Sequence, residues 1–250
     1  MPSIFSLIAA SWAYYRKQPV LNWVLVWMLV LPQFIMNILT RMEQGSIYPM
    51  LGRLPDKKLT ILLVLPAMFL LALIEIWGTA CILVACRRII QSRAGRARTA
   101  FATLRKESSS YIVPLLFTGI LRSCFIIFWS ILLIIPGVIY SIRTIFYPVI
   151  IVSEDIAYRE ALKRSQMLVK GRTWRILWIF LALPIILLLP SILITIGMEA
   201  LLPYLRHAWV IPVIDLLKSI LFCFPAVLII IAQVELFVAI KKLNPIHVDL

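Results

Sequence analysis

The sequence predicts an all-α, polytopic membrane protein with six transmembrane helices and short basic amphipathic helices at the membrane surface. Of its 250 residues, 62% are hydrophobic and 14% are charged, and the mean hydropathy is +1.00. A soluble domain of this length has too little interior to bury so much apolar surface, so the excess is expected to face lipid. The 25 Lys and Arg against 11 Asp and Glu leave a net charge of +14, whose distribution indicates the orientation of the chain.

Six apolar runs are long enough to cross a hydrocarbon core about 30 Å thick, which takes about 20 helical residues. We predict crossings at residues 20–40, 59–86, 111–135, 138–153, 173–202 and 208–240, all in one membrane domain spanning residues 1–250. The fourth run is short, because Pro136 and Gly137 are expected to end the helix before it and only about 24 Å of helix follows. A re-entrant hairpin is the alternative for this run, and it would leave five crossings with the two termini on opposite sides.

The positions of the basic residues favour six crossings with both termini in the cytoplasm. Under that layout 17 of the 25 Lys and Arg fall on one side, at residues 16–17, 87–106, 159–175 and 241–242. Five fall on the opposite side, and three (Arg122, Arg143 and Lys218) lie within crossings. Positive residues in short loops stay on the cytoplasmic side, so we predict a multi-pass membrane protein whose basic loops and both termini are cytoplasmic.

Three short segments before crossings have one apolar and one polar helical face, at residues 3–17, 97–106 and 156–170. For the third, Asp155 is the predicted N-cap and Gly171 the predicted stop. Each Lys or Arg near an anionic membrane surface contributes about 1 kcal/mol of attraction. We therefore predict contacts between the third segment and the inner leaflet through five basic residues: Arg159, Lys163, Arg164, Lys170 and Arg172.

Ionisable residues inside crossings are costly and require a partner or a watery cavity. Counted along the helices, Glu75, Arg122 and Arg143 all lie about 15 to 16 Å from the cytoplasmic face, so we predict that they form a mid-membrane cluster. The cluster is either an internal ion-pair network or, because two Arg face one Glu, an anion or lipid-headgroup site. Asp215 and Lys218 are three residues apart on one helix and are predicted to pair.

The motifs of the common enzyme classes are missing from the sequence. It has no H-E-x-x-H zinc motif, no G-x-x-x-x-G-K-[ST] phosphate loop and no G-x-S-x-G nucleophile elbow. The four cysteines lie in apolar stretches without a C-x-x-C pair, and the basic residues are divided among short segments without a recognition helix. We therefore expect no enzymatic activity, no cofactor, no metal and no nucleic-acid partner.

The stretch at residues 133–175 carries a more distinctive pattern than the rest. It reads LIIPGVIYSIRTIFYPVIIVSEDIAYREALKRSQMLVKGRTWR and covers about a sixth of the chain. The characteristic positions are Ile135-Pro136-Gly137, Tyr140, Arg143, Pro148, Glu154, Glu160-Ala161-Leu162, Ser165, Leu168, Lys170-Gly171-Arg172 and Trp174. This combination resembles the glycerophosphoryl diester phosphodiesterase membrane-domain-like proteins of bacteria and archaea.

The resemblance implies a multi-pass fold and a location in a prokaryotic cytoplasmic membrane. The phosphodiesterase from which that family takes its name resembles a TIM barrel of about 250 residues, with paired histidines and metal-binding carboxylates. This sequence has His207 and His247 as its two histidines, both near predicted helix ends. The resemblance therefore does not imply phosphodiesterase activity for this chain.

Two functions fit these observations. The first is a non-enzymatic protein of the cytoplasmic membrane that takes part in membrane organisation or lipid interaction. The alternative is a small transporter or channel for an anionic solute or lipid, using Arg122 and Arg143. The predicted partners are membrane lipids, chiefly anionic ones, and the sequence leaves open a homo-oligomer or a complex with another membrane protein.

Overall fold

The computed structural model describes residues 2–43, 57–90, 101–201 and 210–243. Within those ranges 92% of the residues are helical and none lies in a strand. Six stretches of the described chain are long and apolar enough to cross a membrane: Val20–Arg41, Val64–Arg87, Ile112–Leu132, Ile134–Glu154, Thr173–Leu201 and Val210–Leu243. The predicted fold class, an all-α polytopic membrane protein with six helices of spanning length, is confirmed.

The helices of the described part follow the predicted order. They are α1 (Ile4–Lys17), α2 (Val20–Val24), α3 (Leu31–Glu43), α4 (Lys57–Ile90), α5 (Phe101–Ser109), α6 (Ile112–Leu132), α7 (Ile134–Arg143), α8 (Tyr147–Glu154), α9 (Tyr158–Val169), α10 (Thr173–Leu201) and α11 (Val210–Leu243). A π-helical segment, Leu25–Val30, joins α2 to α3. The predicted surface segments correspond to α1, α5 and α9, although residues 97–100 of the second prediction lie outside the described residues.

The turn between α6 and α7 is one residue long and lies earlier than predicted. Leu133 has an extended conformation between the two helices, and Pro136 and Gly137 belong to the first turn of α7. Proline is tolerated there because the N–H groups of the first turn of a helix have no acceptor within the helix, so the missing N–H breaks no hydrogen bond. A side chain at Gly137 would clash with Ser130, so this glycine allows α6 and α7 to lie close together as a hairpin.

The core forms around α4, which contacts α3, α5, α8 and α11. Every side chain from Ala80 to Cys86 is buried, because this part of α4 is surrounded by other helices. A helix that is surrounded by other helices must be apolar on all sides, which explains why α4 shows no amphipathic pattern.

The apolar faces of the three amphipathic helices are covered by protein. Leu7 and Ser11 of α1 are buried where this helix contacts α11, and Leu104 and Ser108 of α5 are buried where it contacts α4. The buried side of α9 faces α6, α7 and α8, and consists of Ala161, Leu162, Ser165, Leu168 and Val169. The apolar stripes that we identified in the sequence therefore hold these helices to the bundle, and their basic sides remain for other contacts.

The predicted N-cap of α9 is wrong, whereas its predicted stop is confirmed. Ala157 occupies the N-cap position, and Asp155 has a left-handed conformation (φ 54°) after α8. The Asp155 carboxylate instead accepts hydrogen bonds from Tyr111 and Arg87 and does not cap the first turn of α9. Burial, reinforced by the hydrogen bond to Asp155, raises the pKa of Tyr111. Gly171 ends the α9 segment with φ 82°, as expected for a glycine at this position.

The fourth spanning stretch is broken between α7 and α8, and side chains satisfy the freed backbone groups. The Phe146 N–H donates to Ser165 Oγ (3.2 Å), and Ser165 Oγ donates to the Arg143 carbonyl (2.8 Å). Gln233 Nε2 donates to the Ile145 carbonyl. A helix break at membrane depth is tolerated only with such partners. The break positions Arg143 at the exposed end of α7.

Candidate functional site

A groove of about 820 Å³ lies between α7 and the first turns of α10. Three arginines line it, and we call it the arginine groove: Arg143 from α7, and Arg172 and Arg175 at the start of α10. Its remaining walls are mainly apolar and comprise Ile134, Ile135, Val138, Ile139, Ile142, Trp174, Leu177 and Leu243, with Gly171 and Thr173 at the turn. The groove therefore combines a concentrated positive charge with a surface suited to hydrocarbon.

No residue of the described part of the chain neutralises the three arginines. Within that part none of their guanidinium groups forms an ion pair or a hydrogen bond, and no Asp or Glu lines the groove. Arg143 and Arg175 are exposed, whereas Arg172 is partly buried and its Nη1 atom is buried without a hydrogen-bond partner. A buried, unpaired guanidinium nitrogen is costly, so an anion bound at the part of the Arg172 guanidinium that lines the groove would stabilise this side chain.

Local backbone geometry brings these arginines together. The left-handed Gly171 turns the chain from α9 into α10, and the Arg172 carbonyl accepts the N–H of Ile176 (3.1 Å) at the start of α10. Arg175 follows one turn later on the same helix. Free N–H groups at a helix start carry a partial positive charge, so the beginning of α10 adds to the attraction for an anion.

The predicted cluster of Glu75, Arg122 and Arg143 does not form. The Arg122 guanidinium donates to Thr144 Oγ1 and to the Ser141 carbonyl, each at 3.0 Å. Glu75 Oε1 is buried and has no hydrogen-bond partner, and none of the ion pairs of the described chain joins any two of the three. Equal depth along separate helices was an insufficient criterion, because helix rotation decides which side chains meet.

Arg122 and Arg143 also line different cavities. Arg122 borders a cavity of about 500 Å³ near α4 and α8, and its guanidinium lies 5.5 Å from the centre of the Tyr147 ring. Arg143 borders the arginine groove. The helix break offers Arg122 the oxygens of Ser141 and Thr144 as partners, which explains how this arginine is accommodated without a carboxylate.

The five basic residues predicted to contact the inner leaflet divide into three groups. Arg159, Lys163 and Lys170 are exposed. Arg164 instead pairs with Glu154 (3.1 Å), a carboxylate that also pairs with Lys241 of α11 at 2.8 Å. Arg172 belongs to the arginine groove.

A second charged cluster joins α3, α10 and α11. Arg41 lies 2.8 Å from the fully buried Asp215 carboxylate and 3.3 Å from Glu199, which also bonds Lys218. The predicted pair of Asp215 and Lys218 is present at 3.9 Å, but Arg41 is the closer partner of Asp215. Because two positive groups meet two negative ones, this cluster is internally neutral. We infer that it holds α3, α10 and α11 together, and we call it the helix clamp.

Arg175 and the apolar walls of the groove were missed as site residues in the sequence. The spacing of Arg172 and Arg175, three apart at a helix start, was the available signal, since such residues share a face. The contribution of Arg143 from a separate helix has no local signal.

Comparisons of the chain with models of protein families, with curated proteins and with solved structures found no match. The functional argument therefore depends on the chemistry of the groove.

Proposed function

We propose that this protein binds anionic phospholipids of the cytoplasmic leaflet in the arginine groove and acts, without enzymatic chemistry, in membrane organisation or lipid interaction. The observation that carries the proposal is the convergence of three arginines, none of them paired within the described residues, on one largely apolar groove. Guanidinium groups bind phosphate through paired charge-assisted hydrogen bonds, and basic pockets between membrane helices suit lipid head groups. The isoleucines of α7 offer a surface for the acyl chains.

The proposed orientation places the groove and both termini on the cytoplasmic side of a prokaryotic cytoplasmic membrane. Basic residues near the groove support it, since Lys241 and Lys242 end α11 next to the groove residue Leu243. Exposed Trp174 also supports it, because tryptophan favours the boundary between head groups and hydrocarbon.

We extend the proposal to the family resemblance. Residues 133–175 supply every lining residue of the groove except Leu177 and Leu243. On this proposal the chain is related to the membrane part of the glycerophosphoryl diester phosphodiesterase membrane-domain-like proteins. The alternative of an anion transporter using Arg122 with Arg143 gains no support, because the two arginines line separate cavities.

The first prediction is a loss of bound lipid when the groove is neutralised. We expect the wild-type protein to retain phosphatidylglycerol or cardiolipin in preference to phosphatidylethanolamine, measured by native mass spectrometry after extraction from mixed nanodiscs. The variant R143Q/R172Q/R175Q is expected to bind anionic lipid about tenfold more weakly or worse, since a tenfold change corresponds to only about 1.4 kcal/mol.

The matched control is R159Q/K163Q/K170Q, which removes the same charge from the exposed side of α9. It is expected to retain most of the preference, and thermal melting identifies any variant that has not folded. Equal losses in the two folded variants would assign lipid binding to general surface charge and contradict the proposal. So would a wild-type protein without preference for anionic lipid.

A further inference from the structure

The turn of the α6–α7 hairpin is apolar and uncovered. Five consecutive side chains, Ile131 to Ile135, are 58% to 80% exposed, and no polar residue occurs between Ser130 and Ser141 except Tyr140. A crossing of the whole bilayer would bring this turn to the head groups and water of the far side. Such a turn needs polar residues, because apolar side chains there lose their favourable environment.

The helix α9 runs alongside α6 in the same direction. Near the start of both helices, the Tyr158 N–H donates to Thr118 Oγ1 at 2.9 Å. Further along, Trp129 of α6 and Gln166 of α9 line one small cavity. The end of α9 therefore lies close to the end of α6, next to the turn of the hairpin.

Both ends of α9 also lie near the last turn of α11. Just before α9, Glu154 pairs with Lys241 at 2.8 Å. Just after it, Arg172 lines the arginine groove together with Leu243. Because residues 241–243 are the end of a 34-residue helix, α9 runs across the end of α11. Because α6 is parallel to α9, it also runs across the end of α11 over the length of α9.

The position of the hairpin turn relative to α10 leads to the same conclusion. Ile134 and Ile135 line the groove with Thr173 and Leu177, which belong to the first two turns of α10. The 29 residues of α10 extend about 43 Å, so its far end at Leu201 is remote from this turn. The hairpin turn and the start of α10 are thus at the same end of the bundle.

We propose that α6 and α7 form a re-entrant hairpin, which enters and leaves the membrane on the side of the arginine groove and seats its apolar turn among the acyl chains of that leaflet. The bilayer is then crossed by four helical stretches: α2 and α3 together with the π-helical segment between them, α4, α10 and α11. Both termini remain on one side, and the distribution of charged loops is unchanged because the turn has no charged residue. In a re-entrant hairpin Arg122 lies nearer the head groups than it would in a full crossing. Its charge is tolerated near the head groups.

The depth of the turn tests this proposal independently of lipid binding in the groove. Single cysteines replace Leu133 or, as a second site, Ile131 in a C124S background, since Cys124 is exposed and the other three cysteines are buried. Nitroxide labels there are compared in nanodiscs with labels at three exposed α10 positions, Trp178, Ile186 and Ile196. Each turn label is combined with one α10 label in the same protein, and pulsed dipolar spectroscopy gives the distance between the two.

We expect each turn label to lie closer to the label at Trp178 than to the label at Ile196, because the turn lies beside the start of α10. A turn label that lies closer to Ile196 than to Trp178 overturns the re-entrant hairpin and supports a full crossing. Since positions 131 and 133 are highly exposed, labels there should not disturb folding, and agreement between the two sites guards against a local artefact.

Discussion

Replacement of Asp215 by alanine is expected to lower the free energy of unfolding by about 3–5 kcal/mol, the usual cost of removing one partner from a buried ion pair. The Asp215 side chain is 0% exposed, and its partner Arg41 is 14% exposed at a distance of 2.8 Å. Without the carboxylate, Arg41 keeps only Glu199, which is 52% exposed and already shared with Lys218. The charge of Arg41 would remain largely buried and poorly compensated.

Unfolding by titration with sodium dodecyl sulfate, followed by circular dichroism, measures this loss. Glu199→Ala is the matched control, because it removes a carboxylate of the same cluster that is half exposed, and its expected cost is below about 1 kcal/mol. If the two variants lost equal stability, the clamp would not depend on the buried pair.

Replacement of Phe146 by alanine is expected to cost about 3–5 kcal/mol, as for other fully buried phenylalanines. Phe146 is 0% exposed at the break between α7 and α8. Its ring centre lies 5.8 Å from that of Phe180 in α10 and 6.0 Å from that of Phe237 in α11. Truncation would leave a cavity where three helices meet, and the loss of ring contacts cannot be offset by lipid.

The same titration measures this variant, with Phe128→Ala as the control. Phe128 is 58% exposed on α6, so its removal is expected to cost less than about 1 kcal/mol. Comparable losses of unfolding free energy in the two variants would mean that the break between α7 and α8 is not a point of tight helix contact.

Much of the fold was predictable because lipid and water select residues by simple rules. Long apolar runs mark helices of spanning length, and the period of the α9 segment identifies its buried side from Ala161 to Val169. Gly171 was recognisable as a stop because only glycine adopts a left-handed conformation without cost.

The contacts between distant residues were not predictable. Arg41 and Asp215 are 174 positions apart, and nothing local indicates their pairing. Arg122 and Glu75 were assigned to each other from depth alone, whereas Arg122 binds oxygens that become available at a helix break. Of the arginine groove, Arg172 was identified in the sequence as a lipid contact and Arg175 was not, while Arg143 joins them only through the fold.

Hydropathy also treats all long apolar helices alike. The stretches Ile112–Leu132 and Ile134–Glu154 are apolar enough to cross a membrane. Their contacts with α9 and α10 are the basis for our proposal that they return to the same side of the bilayer. A helix seated in one leaflet and a helix crossing both meet the same hydrocarbon, so their compositions are alike.

A density map of the protein in nanodiscs that contain phosphatidylglycerol tests the proposed lipid site most directly. The account predicts a phosphate in the groove within about 2.7–3.2 Å of a guanidinium nitrogen of Arg143, Arg172 or Arg175, with acyl chains along the isoleucines of α7. A groove with no phosphate near any of the three arginines, or with Arg172 Nη1 bonded to a carboxylate of the protein itself, would contradict it.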